Sequence, residues 1–465
     1  MQYISTRGKA AARGFEDVLL AGLAEDGGLY MPAHWPQLTQ QQIAAFADRP
    51  FHEVAAQVMR PYMGEAADRF PLDAICAAAY ADFTHPDIAP LVPLEDGHHL
   101  LELFHGPTLA FKDIAMQVLA RLMDDALARR GQRRTIVVAT SGDTGSAAVS
   151  AFGGRESVDV FVLYPHGRIS DAQRRQMTVP QADNVHALAI DGTFDDCQTL
   201  VKALFADAPF RDAVSLAAVN SINWVRVMAQ AVYYFTAALR LGAPERAAAF
   251  CVPTGNFGDI FAGLVAHKMG LPVARLVIAT NMNDILARTL DTGRYEPQAV
   301  VATSSPSMDI QISSNFERLL FDAAGGDAAW VCEAMGQLET EGHFDLRDDV
   351  LAAIRNLFAA FRIDEAEGAA TIAEVYEQHG KLIDPHTAIG LAAARRTTLP
   401  DDVPMVTLAT AHPAKFPEAV AHACKATPEP PDRLRAVLSG TERIAELPAR
   451  ADAVQDFIRA KGRGR

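Results

Sequence analysis

Two stretches of this chain share one local pattern, and together they limit the possible folds more than any other feature. "RRTIVVATSGDTGSAAVSAF" (133–152) runs from β-branched apolar residues through a glycine-bearing loop into helical composition. "AAAFCVPTGNFGDIFAGLVAHKMG" (247–270) does the same, and each is followed by a further strand pattern, "VDVFVLYP" (158–165) and "VARLVIAT" (273–280). Strand, loop and helix in that order predict βαβ units in parallel sheets, whose ligand sites lie at the carboxyl ends of strands. "VPMVTLATAHPAKF" (403–416) reads as a third such edge.

A chain of 465 residues exceeds what one hydrophobic core usually serves, and its 49% hydrophobic content can fill several. The first ninety or so residues instead alternate helical patterns with Pro-bearing turns such as "YMPAHWPQL" and "HPDIAPLVP", a helical unit closing near Pro90 to Pro93. The expected fold is therefore α/β: two α/β domains with largely parallel sheets (96–235 and 236–465) behind a mainly helical N-terminal domain (1–95).

Several functions are excluded by composition. A formal net charge of −15 argues against an extended nucleic-acid surface, and the basic ending Lys461 to Arg465 reads as a solvated tail. No apolar run reaches eighteen residues, so no membrane span is expected. Fourteen histidines show no HExxH or comparable spacing, so no metal site is expected. Cys76, Cys197, Cys251, Cys332 and Cys424 are scattered without CxxC spacing, which predicts free thiols in a reducing compartment. Arg7, Lys9 and Arg13 precede the first acid, Glu16, but no apolar core follows them. The start is read as the mature N-terminus of a cytoplasmic protein.

The loops themselves point to anions. A helix N-terminus offers unpaired N–H groups and the positive end of a dipole. Neither loop carries the lysine of a P-loop or the G-x-G-x-x-G of a dinucleotide site. What remains is a pair of small anions, such as a phosphate monoester and a carboxylate, held by main-chain donors. Asp143 and Asp259 would repel such anions unless they face elsewhere; capping their helices is the alternative reading for each.

"FHGPTLAFKDIAMQVLARLM" (104–123) adds one lysine, Lys112, before an apolar helical face that continues to a stop at Gly131. In apolar surroundings a lysine loses proton affinity, and the neutral amine can join an aldehyde. Pyridoxal phosphate is an aldehyde cofactor that carries a phosphate and works on amino acids, which carry a carboxylate. The alternative is a surface lysine whose stem lies along the core.

The motifs "ELFHGPTLAFKD" at Lys112, "ATSGDTGSAA" (139–148), "PTGNFGD" (253–259), "TAHPAKF" (410–416) and the opening "STRG…GLAEDGGLYMP" resemble the threonine synthase family. That family is a branch of the tryptophan synthase β-like, or fold type II, pyridoxal-phosphate enzymes. "NSINWVRVMAQ" (220–230) and "MDIQISSNFERLLF" (308–321) extend the likeness, in chain order, past residue 416.

The resemblance implies a role for each matching position. Lys112 is similar to the lysine that binds the cofactor aldehyde and then transfers protons. Gly255, Asn256, Phe257, Gly258 and Asp259 resemble the loop around the cofactor phosphate. Asp143 stands where relatives such as cysteine synthase place an asparagine near the ring hydroxyl, and Thr410 corresponds to the residue facing the pyridine nitrogen. Ser141, Gly142 and Thr144 resemble the loop for the substrate carboxylate. The implied partner is a small molecule, O-phospho-L-homoserine, converted with water to L-threonine and phosphate by γ-elimination followed by β-hydration, the last step of threonine biosynthesis. Such a substrate needs a second set of phosphate donors. Asn220, Ser221, Asn223 and Arg226 form a cluster suited to this, with Arg226 the best placed; capping and surface pairing are its bland alternatives. His412 and Lys415 are read as loop-structure residues, whereas His105 and Thr108, beside Lys112, fit either an approach to the substrate or turn-stabilising hydrogen bonds. A β-eliminating or β-replacing enzyme of the same fold, such as threonine dehydratase or cysteine synthase, and a non-catalytic cofactor-binding protein are the competing readings. Oligomeric state, monomer or homodimer, is not encoded in these patterns.

Overall fold

The computed structural model describes residues 1–463. β1 (Gln2–Ser5), β2 (Arg13–Gly14) and β3 (Tyr30–Pro32) form a small antiparallel sheet, followed by helices at Gln40–Ala44, Phe51–Met63 and Leu72–Tyr80. The N-terminal unit is thus mainly helical, but it opens with a sheet that the expectation of a helical unit lacked. Tyr3 and Phe15 anchor this sheet on Trp224 and Phe70 through tilted and edge-on ring contacts.

β4 (Leu91–Glu95) and β5 (His98–Glu102) form a hairpin, and β6 (Arg134–Ala139), β7 (Val158–Pro165), β8 (Val185–Asp191) and β9 (Leu216–Ala217) follow. Then come β10 (Ala248–Pro253), β11 (Val273–Thr280), the short pair β12 (Arg294–Tyr295) and β13 (Phe344–Asp345), β14 (Phe358–Arg362), β15 (Met405–Ala409) and β16 (Ala445–Pro448). The order β14-β11-β10-β15-β5-β4 makes a six-stranded sheet, parallel except for β4. The order β16-β8-β7-β6-β9 makes a wholly parallel five-stranded sheet. β7 and β10 are buried along their whole length, as a parallel sheet covered by helices on both faces requires.

Sheet membership departs from the expected boundaries in two places. A division at 95/96 separates β4 from β5, which pair with each other in the larger sheet. The C-terminal residues also leave that sheet: β16 pairs with β8, and the helix Ala451–Lys461 buries Val454 and Ile458 against Phe161 and Leu188. The basic ending is not simply solvated, since Arg463 holds Asp159 through its Nε (2.5 Å) and its backbone N–H (2.9 Å). Gly464 and Arg465 lie outside the described residues.

All five cysteines are free; Cys76, Cys197 and Cys251 are buried, and Cys332 and Cys424 half-buried. Among the described residues no helix is long and apolar enough to cross a membrane. No group of three or more His, Cys, Asp or Glu side chains among them is arranged to hold a metal ion.

Candidate active site

Lys112 is the first residue of a helix, Lys112–Arg130, that ends with Gly131 in the left-handed conformation. Its approach is fixed on both sides. Phe111 donates its N–H to the Thr410 carbonyl (2.9 Å), Ala110 bridges Ala411, and His412 donates its N–H to the Leu109 carbonyl (3.0 Å). The start of the helix is therefore tied to the carboxyl end of β15. The buried Asp113 carboxylate accepts the N–H and the hydroxyl of Thr108, both at 2.7 Å. Gly106 is required beside it, because a Cβ there would lie 2.6 Å from the Asp113 Cβ.

The Lys112 side chain is 12% exposed, and its Nζ lies 3.3 Å from Asp143 Oδ2 and 4.8 Å from the centre of the Phe111 ring. Burial pushes the ammonium down, Asp143 pulls it back, and the cations Lys415 and Arg226 push it down again, leaving it below the ordinary lysine range.

Asp143 opens the helix Asp143–Phe152 but makes no capping hydrogen bond. That task falls to Thr140, whose hydroxyl accepts the N–H groups of Gly142 and Gly145, both at 2.9 Å. The Asp143 carboxylate instead receives Lys415 Nζ (2.7 Å), Gln173 Nε2 (2.9 Å), Lys112 Nζ (3.3 Å) and the Ser307 hydroxyl (3.3 Å). Burial alone would raise this acid, but Lys415 and Lys112 outweigh it and hold the carboxyl well below its usual range. Gly142 has φ 135, and a Cβ on it would meet the Gln173 side chain at 2.3 Å. Ser141 and Thr144 flank it, both partly exposed.

The second loop follows β10. Phe257, at φ 64, turns the chain into the helix Gly258–Lys268 and packs edge-on against Phe316. The carbonyls of Gly255 and Asn256 accept hydrogen bonds from Ser313 Oγ (2.7 Å) and from Asn315 (3.1 Å from its N–H, 2.9 Å from Nδ2). With those carbonyls taken, the N–H groups that open the helix remain without intrahelical acceptors. Gly255 leaves room for the Ser307 carbonyl, which a Cβ would approach to 2.8 Å. Asn256 is exposed and Gly258 partly exposed.

Asp259 does not cap this helix either. Its side chain turns toward the helix Trp224–Arg240, where the hydroxyls of Tyr233 and Tyr234 (3.1 Å for the latter) donate to Oδ1. Its Oδ2 is buried without a partner among the described residues. Burial pushes this acid up to about 7, and the tyrosines and Lys112 offset it only in part.

Arg226, 3% exposed on the same helix, has no partner for Nε or Nη1 among the described residues. Burial pushes it down to about 10, with Tyr233 acting in the opposite direction. The rest of the expected cluster divides. Asn223 is the cap of this helix, accepting the Val225 N–H (3.0 Å) and donating to the Leu19 carbonyl (3.0 Å), so both of its polar atoms serve the fold. Asn220 is exposed, and Ser221 offers its carbonyl to Asn315 (3.2 Å); neither caps the helix.

Thr410 is buried at the end of β15. His412 accepts the Ala414 N–H (3.1 Å), and burial, helped by His105, pushes it down to about 4; His105 itself pairs with Glu102 (3.0 Å). These histidines and Thr108 hold loops together. Lys415 does more than its expected loop role, because it touches Asp143. Gln173 and Ser307 were not foreseen. Their contacts depend on tertiary placement, and nothing in the local sequence marks them.

Three family models match parts of the chain. "Threonine synthase N terminus" matches residues 2–80, "Pyridoxal-phosphate dependent enzyme" 89–344 and "Threonine synthase, C-terminal" 387–458. A threonine synthase of Pseudomonas aeruginosa is 53% identical over 413 residues, 89% of this chain and 88% of that one. The chain belongs to the threonine synthase family.

Solved structures of threonine synthases agree. One from Brucella melitensis, bound to PLP, is 54% identical with a TM-score of 0.97, covering 100% of both chains. One from yeast is 38% identical with a TM-score of 0.93, covering 99% of this chain and 98% of that one. The threonine synthase family uses pyridoxal phosphate, and the residues here fit it. An amine of lowered basicity stands near two helix N-termini, and a buried guanidinium still has unpartnered N–H groups.

Proposed function

We propose that this protein is a pyridoxal-phosphate-dependent threonine synthase, converting O-phospho-L-homoserine and water into L-threonine and phosphate. Lys112 would hold the cofactor aldehyde, the N–H groups of residues 255–259 its phosphate, Asp143 its ring hydroxyl and Thr410 its ring nitrogen. When bound, the cofactor delocalises the negative charge left by removal of the α proton. Thr410 would offer that nitrogen a hydroxyl in place of a carboxylate, and so would not hold a proton on it.

The chain's own groups handle the remaining charges. Ser141, Gly142 and Thr144 orient the substrate carboxylate at a helix N-terminus. Lys112, once freed, carries the protons between the α, β and γ carbons, a task suited to an amine whose affinity has been brought toward neutral pH. Arg226, with Asn220 and Ser221 beside it, receives the substrate phosphate and steadies it as it leaves; Asn223 serves by fixing the helix that carries Arg226. Free thiols fit a reducing cytoplasm.

One observation carries this reading: a buried arginine with unpartnered donors whose charge reaches Lys112. A guanidinium in that state needs an anion, and a phosphate supplies one. Incubation with phosphohomoserine should release threonine and phosphate in equal amounts. An oxoacid formed from threonine, without phosphate release, would instead identify a dehydratase. Arg226→Gln should lower kcat/KM for phosphohomoserine by about 100-fold or more.

A further inference from the structure

Lys415 is a fully buried lysine, and its position is set by two acceptors: Asp143 Oδ1 at 2.7 Å and the Thr108 carbonyl at 2.9 Å. It ends the short turn Pro413–Lys415 that follows β15. The Thr108 carbonyl also accepts Gln176 Nε2 (3.0 Å), and Thr108 is held in turn by Asp113. Lys415 therefore has little freedom to leave Asp143.

Lys112 approaches the other oxygen of the same carboxylate, at the longer distance of 3.3 Å, with the Phe111 ring face as its other neighbour. The charged groups facing it are Asp143 from helix Asp143–Phe152, Lys415 from the turn, Arg226 from helix Trp224–Arg240 and Asp259 from helix Gly258–Lys268. Asp259 is engaged by Tyr233 and Tyr234 and is a weak counter-ion while it keeps its proton. Two ammoniums and one carboxylate in a nearly water-free site leave an excess positive charge, and Arg226 adds to it. Releasing one proton relieves that excess at least cost, and the ammonium with the poorer acceptors is Lys112.

We propose that Lys415 is a positioning residue for the reaction: by serving as the counter-ion of Asp143 it leaves Lys112 free to stand as an uncharged amine. The functional meaning rests on the role given to Lys112 above, but the charge state of Lys112 is measurable without any turnover.

The test is competitive labelling of the full-length chain, stripped of cofactor, with trace acetic anhydride across pH 6 to 11, reading the Lys112 peptide by mass spectrometry. In the wild type the Lys112 midpoint should lie below that of an exposed lysine, for which the Lys202 peptide serves as internal reference. Lys415→Met should raise the midpoint by about one unit or more, because a neighbouring cation is lost and Lys112 becomes the only cation paired with Asp143. Lys415→Arg, which keeps the cation, should leave it in place, and the double variant Asp143→Asn/Lys415→Met should bring it down again. Asp143→Asn alone provides a check should Lys415→Met fold poorly, and it should move the midpoint below that of the wild type.

A wild-type midpoint equal to that of Lys202, an unmoved midpoint in folded Lys415→Met, or an upward shift in Asp143→Asn would each overturn the proposal. Phosphate release by the wild-type enzyme is measured separately, so failure of the charge argument and failure of the assigned reaction are distinguishable.

Discussion

Asp259 shows how a single buried residue can work against stability. Its carboxyl is buried, accepts two tyrosine hydroxyls on one oxygen and leaves the other unpaired. The native state keeps its proton up to about pH 7, whereas an unfolded aspartate releases it near 3.8. Between those values unfolding sheds a proton, so this residue costs more stability as pH rises, and the full cost is reached above pH 7. Asp259→Asn removes the titration. Urea unfolding at pH 5 and pH 8 should show the variant gaining on the wild type by on the order of 1 kcal/mol or more at the higher pH, a difference in which any fixed cost of the amide cancels. Lys112→Ala tests the other end of the same network. It should abolish threonine formation while far-UV circular dichroism and the unfolding midpoint stay near wild type, since Asp143 keeps Lys415, Gln173 and Ser307 as partners when the amine is removed. A variant that still turns over at the wild-type rate would remove Lys112 from the reaction.

At the scale of elements, each glycine loop bends the backbone sharply at the start of a helix, the first satisfying the Gly142 and Gly145 N–H groups on Thr140, and Gly142 is where that shaping is tightest. Its φ of 135 and the 2.3 Å approach of a Cβ to Gln173 mean that Gly142→Ala must move the loop, Gln173, or both. Gln173 holds Asp143, so the disturbance reaches Lys112 as well. The expected result is a KM for phosphohomoserine raised about tenfold or more together with a lower kcat, checked by steady-state phosphate release.

These strand-loop-helix elements were legible in the sequence because their signals are local: β-branched runs, a glycine loop, then a helical face. Lys112 at its helix start and the strand end at Thr410 were legible for the same reason. The pairing of β4 with β5 across the expected boundary, and the return of β16 to β8, were not, because strand partners far apart in sequence leave no local trace. The use of Asp143 and Asp259 stayed undecided between capping and the site until Thr140 was seen to satisfy the first helix and the two tyrosines to claim the second aspartate. Asn223 shows the reverse, since three-residue spacing placed it with Arg226 while its short side chain was already spent on the cap.

Across the whole molecule, the two sheets meet at the site but are completed from opposite ends of the chain. The five-stranded sheet carries the Ser141 to Thr144 loop on β6, and its far edge is β16, contributed by residues 445–448. Behind that edge Val454 and Ile458 fill a core shared with Val137, Phe161, Leu188 and Cys197, and Arg463 neutralises the buried Asp159. A chain ending at Ser439 would leave β8 as a bare edge, open this core to water and strip Asp159 of its closest cation. The six-stranded sheet loses nothing by the cut, since none of its strands lies beyond β15. Hydrogen exchange should therefore separate the two halves: amides of β6, β7 and β8 should exchange on the order of a hundredfold faster in the truncated protein, while those of β10, β11 and β15 keep their protection. Ile458→Ala grades the same effect, with an expected loss of 2–5 kcal/mol, roughly, in urea unfolding. Because Asp143 and Gln173 sit on the weakened half and Lys112 is tied to β15 on the other, substrate turnover should fall with the protection of β6 rather than with that of β10. Equal exchange in both sheets would instead mean that they unfold as one cooperative unit, with the C-terminal strand stabilising the whole.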